Sequence, residues 1–432
     1  MNFSSFIARK VARAGGQSFS RMIIRIAVVA VALSMTVMVV SSSLIAGFKE
    51  EIAGKIFGFW GHIHITDPNL SRSLTEVYPI SRQQPFYPGL EDITGVDYVE
   101  ITERWGRRVE RERHTHGGVR HVQVYAILPG IIEAKDEIEG IILKGVDRDF
   151  DWEFIQRFLV EGQRLTLPDT AMDDGIIISR RTAQRLRLTL EDRLNIVFVG
   201  RGGEQLKRRF TVTGIYNTGL EEYDRQFALV DIRKIQQLNN WRSDQISGFE
   251  VFVDDLDDLG PITDYIYQEE LPNELYAETI REKMPEIFEW LDLQDVNEIV
   301  ILGLMLTVAI INMITALLIL ILERTNMIGT LKALGAHNWS IRRVFLYYAA
   351  YIILVGLFWG NLLGLGLCWL QDTFEFIKLD ETNYYLDVAP VRIRWFTVLA
   401  LNAGTLVITL IFLLIPSFLV SRIDPVKAIR FK

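Results

Sequence analysis

Residues 299–344 read IVILGLMLTVAIINMITALLILILERTNMIGTLKALGAHNWSIRRV. The first part, Ile299 to Leu322, carries no charge and exceeds the roughly 20 apolar residues that an α-helix needs to cross ~30 Å of hydrocarbon. The second part, Glu323 to Val344, places Met327, Ile328, Leu331, Leu334 and Trp339 at helical spacing between Arg324, Lys332, Arg342 and Arg343, and Gly335 stands where a short helix would stop. On pattern alone this basic amphipathic turn fits two roles: a segment lying on anionic lipid, or a helix that docks on a cytoplasmic partner.

Working outward, three more long uncharged runs appear, Ile26 to Phe48, Val344 to Gln371 and Trp395 to Ser421. The fold class expected is a membrane α-helical protein with four transmembrane helices, one plus three, and a large extracytoplasmic α+β domain between the first and second. The expected boundaries are an N-terminal arm at 1–21, spans at 22–48, 299–322, 344–371 and 395–421, an outer domain at 49–298, a cytoplasmic segment at 323–343, an outer loop at 372–394 and a tail at 422–432. The first apolar stretch is longer than a secretory signal and reads as an uncleaved anchor.

Basic residues set the orientation. The arm, the segment after the second span and the tail together hold 13 Lys and Arg against Glu323 and Asp424, whereas the loop between the last two spans is rich in Asp372, Glu375, Asp380, Glu381 and Asp387. Both termini are therefore expected in the cytoplasm, and residues 49–298 outside it. That region carries 47 acidic and 30 basic side chains and is long enough for its own core. The one cysteine, Cys368, lies in the third span, so no disulfide is expected outside and no lipid-bearing N-terminal cysteine is present.

Inside the outer region, residues 55–67 end in alternation that reads as a strand, with His62 and His64 on a solvent-facing side. Further strands are expected at 104–113, 120–128, 140–146, 176–178, 194–199, 210–216, 226–230 and 248–253, with helices at 180–188, 232–239 and 259–271. Ser179 is placed to cap the first of these helices. Strands and helices mix without a repeat, which implies α+β in two subdomains, one inserted in the other. An amphipathic stretch from Glu286 to Glu298 leads without a break into the second span.

The string Glu323-Arg324-Thr325-Asn326-Met327-Ile328-Gly329-Thr330-Leu331-Lys332-Ala333-Leu334-Gly335-Ala336, directly after a span containing Asn312, resembles the E-x-x-x-x-I-(A/G)-x-L-(K/R)-x-(L/x)-G-A segment of the MacB/FtsX/LolC superfamily of ABC transporter permeases. Asp424-Pro425-Val426-Lys427-Ala428-Ile429-Arg430 is similar to that superfamily's closing P-x-x-A-(L/I)-R. Gly47-Phe48-Lys49-Glu50-Glu51-Ile52 resembles the stretch after the first span of the lipoprotein-releasing permeases LolC and LolE.

The resemblance implies a MacB-like periplasmic core domain with a β-rich insert at about 140–240, and an inner-membrane permease that releases lipoproteins by mechanotransmission. It implies a second permease subunit, identical or not, a cytoplasmic ABC ATPase dimer, lipoprotein cargo, membrane lipid and a periplasmic carrier as partners; nucleic acid is not expected. No G-x-x-x-x-G-K-(S/T) occurs in the chain. ATP and magnesium would thus belong to the partner ATPase, and this chain has no cofactor or catalytic residue of its own. A carrier-binding loop would fall near Gly200 to Glu204. Two other readings stay open: an FtsX-like regulator of a cell-wall hydrolase, whose outer domain would be much smaller, and a MacB-like efflux permease.

The residues expected to couple to the ATPase are Glu323, Arg324, Ile328, Gly329, Leu331, Lys332, Leu334, Gly335 and Ala336. Asn312 and the evenly spaced Gly356, Gly360 and Gly364 are expected at close helix packing, either with a neighbouring helix of the chain or at a subunit seam. Val39, Val40, Leu44, Met305 and Ile310 are expected to line a cargo cavity between the first two spans. His62-x-His64 and His114-x-His116, with His121 nearby, have the alternation of a strand face, and solvent-facing positions are favoured over a metal site.

Overall fold

A computed structural model describes residues 18–68, 78–104, 107–134, 137–168, 172–199, 204–380 and 384–423. The N-terminal arm up to residue 17, the loop at 200–203 and the tail beyond 423 lie outside the described residues. The chain divides into two compact units, one made of 1–51, 289–378 and 388–432, the other of 52–288 and 379–387.

The first unit is helical. Its long helices are α1 (Ser18–Trp60), α2 (Pro285–Glu323), α4 (Asn338–Phe374) and α5 (Trp395–Ser417), with the short α3 (Thr325–Ala333) between α2 and α4 and a last turn, α6 (Leu419–Arg422), after α5. Among the described residues four helical stretches are long and apolar enough to cross a membrane. Their uncharged centres carry every backbone polar group internally, the one arrangement a lipid interior tolerates in a single segment. One apolar cluster, including Met35, Val39, Met313, Leu317, Phe345 and Ile353, ties them together.

Where α1 and α2 leave their apolar centres, polar side chains join them. Ser42 donates to a Glu298 carboxylate oxygen at 2.6 Å, Lys49 pairs with Asp295 at 2.6 Å, and Phe48 meets Trp290 edge to face. Gly47 lies against the carbonyl of Pro390, 2.6 Å from where a Cβ would stand, so the segment before α5 closes on α1 only because this position is glycine.

The second unit is built on a ten-stranded sheet. In chain order the strands are β1 (Ile63–Thr66), β2 (Ile80–Ser81), β3 (Asp97–Arg104), β4 (Arg107–His114), β5 (Val119–Ala134), β6 (Glu137–Val146), β7 (Leu159–Gly162), β8 (Gly175–Ser179), β9 (Arg193–Val199), β10 (Gln205–Tyr216), β11 (Phe227–Asp231), β12 (Gln245–Ile246), β13 (Gly248–Val253) and β14 (Tyr276–Thr279). The main sheet runs β14-β1-β13-β5-β6-β11-β8-β10-β7, with β9 pairing both β10 and β5. β3 and β4 form a separate ribbon, exposed at every residue of β4; Arg113 pairs with Glu100 at 2.7 Å.

Three expectations are corrected. The stretch 55–67 is not one strand: α1 continues to Trp60, because Ile52, Ile56, Phe59 and Trp60 recur at helical spacing and are all buried, and Gly61 turns the chain with φ +74°. His62 and His64 do not face solvent. β1 is an inner strand between β13 and β14, and every one of its residues is buried. The insert expected at about 140–240 does not form a sheet of its own. The 16-residue β5 pairs with β13 through Val119 to Tyr125 and with β6 through Tyr125 to Ala134, so one strand carries both halves.

Burial of the two histidines has a measurable consequence. The backbone N–H of Val253 donates to His62 Nδ1 at 2.8 Å, which requires the neutral ring with its proton on Nε2. Burial chiefly, and the charge of Arg120 secondarily, push the His62 pKa down to about 4, and burial holds His64 well below its usual value. The unfolded chain takes up these protons near pH 6.5, while the folded one resists until far lower pH. Stability is therefore complete above pH 6.5 and drains away as pH falls toward about 4, by about 3 kcal/mol for His62 alone. An H62N variant, which keeps an acceptor for Val253, should show a flatter loss of unfolding midpoint between pH 7 and pH 4.5 in the detergent-solubilised full chain; an unchanged slope would contradict this role.

Candidate functional site

The residues expected to couple to an ATPase lie at the turn between α2 and α4. Helix α3 ends in a Schellman arrangement. Gly335 N–H donates to the Lys332 carbonyl and Ala336 N–H to the Leu331 carbonyl, both at 2.9 Å, with Gly335 at φ +87°. The glycine expected to stop this helix does so in the left-handed conformation that other residues resist.

The structure sorts the predicted coupling residues into two faces. Ile328 and Gly329 are buried, Ile328 completely and within the apolar cluster of the long helices, so they hold α3 in place. Leu331 and Ala336 are half-buried against the same cluster. Outward stand Glu323, Leu334 and Gly335, and beyond them Trp339 and Arg343. Leu334 is 80% exposed and Trp339 44%, and the Arg343 guanidinium lies 5.3 Å from the Trp339 ring centre. Arg324 is half-buried at the junction of α2 and α3.

Lys332 points neither to lipid nor outward. Its Nζ donates to the carbonyls of Ser421 at 3.2 Å and Ile423 at 2.9 Å. Arg342, at the start of α4, donates through Nε to Ser421 Oγ at 3.1 Å and lays its guanidinium 3.8 Å from the Phe418 ring centre. The sequence motif marks Lys332 but not its partners, which lie about ninety positions later.

The glycine series is resolved as packing within the chain. A Cβ on Gly356 would stand 2.7 Å from Val31 Cβ, one on Gly360 2.6 Å from Met35 Cβ, and one on Gly364 3.1 Å from Val39 Cβ. The three therefore seat α4 on α1, and Thr36 Oγ1 donates to the Gly360 carbonyl at 3.1 Å across that contact. Val39 is accordingly corrected: it is fully buried against Gly364 and lines no cavity. Val40 and Met305 are partly buried on the same cluster, and Leu44, Ile310 and Asn312 are of intermediate exposure. A small recess does occur, lined by Ile23, Met313, Leu317, Leu320, Tyr348 and Ile352, but with room for only about one water (≈ 10 Å³).

Asn361 of α4 exchanges hydrogen bonds with Asn402 of α5 at 2.7 and 3.0 Å. Asn402 stood in an uncharged run as visibly as Asn361, and its pairing follows from the same rule that amides in spans find partners.

In the sheet unit, α1 ends on a buried charge. Lys144 Nζ donates to the Phe59 carbonyl at 2.5 Å, pairs with Glu250 at 2.7 Å and stands 5.0 Å from the ring centres of both Phe59 and Trp60. Gln123 donates to the other Glu250 oxygen at 2.7 Å. Burial pulls Lys144 down and Glu250 up, and each partner's charge opposes the other's shift. Among the described residues His116, Asp255 and Asp258 approach within 4.8 Å, but the Asp258 carboxylate already accepts from the backbone N–H groups of His116 and Gly117 and reads as a turn brace.

A family profile described as FtsX-like permease C-terminal matches residues 299–425, the stretch holding α3, α4 and α5. The chain is 20% identical over 429 residues to the lipoprotein-releasing system transmembrane protein LolE of Haemophilus influenzae, covering 94% of each. It is 20% identical over 434 residues to LolC of Neisseria meningitidis, covering 96% of this chain and 95% of that one. The LolC of Haemophilus influenzae is 24% identical over 266 residues, 60% of this chain and 64% of its own length. Among solved structures, the extracellular domain of the noncanonic ABC-type transporter YknZ covers 50% of this chain and 99% of that domain at 13% identity, with a TM-score of 0.31.

The profile match gives the chain an FtsX-like C-terminal region and, with the Lol likenesses, supports the class of ABC transporter permeases. Within it, the Lol likenesses over most of the chain support a lipoprotein-releasing permease of the FtsX/MacB superfamily.

Proposed function

We propose that this chain works as a lever in the inner membrane. A separate ABC ATPase dimer pushes on the turn around α3, the long helices move together, and the outer unit shifts so that a lipoprotein is expelled from the outer leaflet. Both termini and α3 are cytoplasmic in this reading and residues 52–288 are periplasmic, as the distribution of basic residues favours. The four spans are arranged one plus three, with a MacB-like outer domain, and a second permease subunit completes the cavity that Val40, Leu44, Met305 and Ile310 would wall. ATP and magnesium bind the partner, and this chain performs no chemistry on the cargo.

One observation carries the proposal: two apolar side chains, Leu334 at the end of α3 and Trp339 at the start of α4, are exposed on a turn whose short helix is anchored by fully buried Ile328. An exposed leucine fixed on a rigid, capped turn is a contact waiting for a groove.

The test is L334E in the full chain, with its ATPase, in proteoliposomes. Because Leu334 packs against little, the variant should fold normally yet lose most nucleotide-driven lipoprotein release. Release at the wild-type level would remove α3 from the mechanism.

A further inference from the structure

Two basic side chains converge on the end of the fourth span, Lys332 from α3 and Arg342 from the start of α4. Pro416 lies near the end of α5, which breaks at Phe418 before the short α6. A helix end leaves its last carbonyls without intrahelical donors. Here Lys332 of α3 supplies donors to two of them, those of Ser421 and Ile423, while Arg342 of α4 holds the Ser421 hydroxyl and covers the Phe418 ring. Val420, inside this grip, is fully buried.

We infer that Lys332 is a positioning residue that bolts α3 to the end of the fourth span, so that a push on the turn reaches α5 as directly as it reaches α2 and α4. This rests on the lever reading above. Without the bolt, α3 would still be joined by chain to α2 and α4, but it would reach the end of α5 only indirectly, through Arg342 of α4 and side-chain packing. An ammonium group suits this position because it can donate to two carbonyls at once, and a cation at a helix C-terminus is favoured by the helix dipole. A shared structural element whose position both sites bias is what a coupling claim requires, and nucleotide-dependent motion is its evidence.

The experiment uses the full chain with its ATPase in nanodiscs. Cys368, the one cysteine and a buried one, is replaced by alanine, and a spin label is attached at N326C or at R422C, both exposed positions, which leaves Leu334 in place. Spectra are compared with and without trapped ATP. In the parent and in K332R both labels should change with nucleotide. In K332M the label at 326 should still change and the one at 422 should lose most of its response. A full response at 422 in K332M would overturn the inference and leave the lever reading standing. Loss at both positions would also overturn it, since Lys332 would then only be holding the fold. A label at 326 that ignores nucleotide in the parent would remove the lever reading and the bolt with it.

Discussion

Replacing Lys144 by methionine should lower the stability of the sheet unit by about 3–5 kcal/mol, because it strands the Glu250 carboxylate in a site closed to water. Three losses coincide: the 2.7 Å pairing with Glu250, the donor to the Phe59 carbonyl, and the cation over the Phe59 and Trp60 rings. K144M/E250M, which removes both charges, should recover most of the stability, as buried pairs exchanged for apolar side chains often do. Denaturant midpoints of the detergent-solubilised full chain distinguish the cases. Equal losses in the single and double variants would mean that the charges are not what the core depends on.

Replacing Gly360 by valine should separate α1 from α4. The new Cβ would lie 2.6 Å from Met35 Cβ and 2.7 Å from the Ala32 carbonyl oxygen, and backbone cannot rotate away as a flexible side chain can. Overpacking of this kind costs about 3 kcal/mol when a backbone must shift, and the Thr36 hydrogen bond to the Gly360 carbonyl would go with it. Gly366, on the same helix, has nothing within 4 Å of its would-be Cβ, so G366V is the matched control and should be neutral. Thermal aggregation of the purified full chain reads both; equal behaviour would contradict the close contact.

The four long apolar helices were legible because an unbroken uncharged run of that length is a local pattern that no tertiary contact can disguise. The strands at 176–178, 194–199 and 210–216, and the Ser179 cap on the helix Arg180–Leu186, were legible for the same local reason. What failed was exposure. Alternation at His62 and His64 gives the period of a strand but not its place in a sheet, and only the pairing of β1 with both β13 and β14 buries it. Lys144 and Glu250 are unremarkable in sequence, since their partnership exists only after β5 brings β6 and β13 to opposite sides of itself. In the candidate site, the motif identified α3 and its stop at Gly335 but could not say which side chains face out. Ile328 and Leu334 look alike in a helical pattern, and the packing of the long helices decides that one is hidden and the other bare. The glycines at 356, 360 and 364 announced a close contact without naming the helix on the other side.

The most direct measurement places a photo-crosslinking amino acid at position 334 of the full chain in its native membrane and identifies what it captures. The expected adduct is a subunit carrying a G-x-x-x-x-G-K-(S/T) loop, captured more strongly in one nucleotide state than in another. Adducts to lipid alone, in every nucleotide state, would contradict a motor acting on this turn.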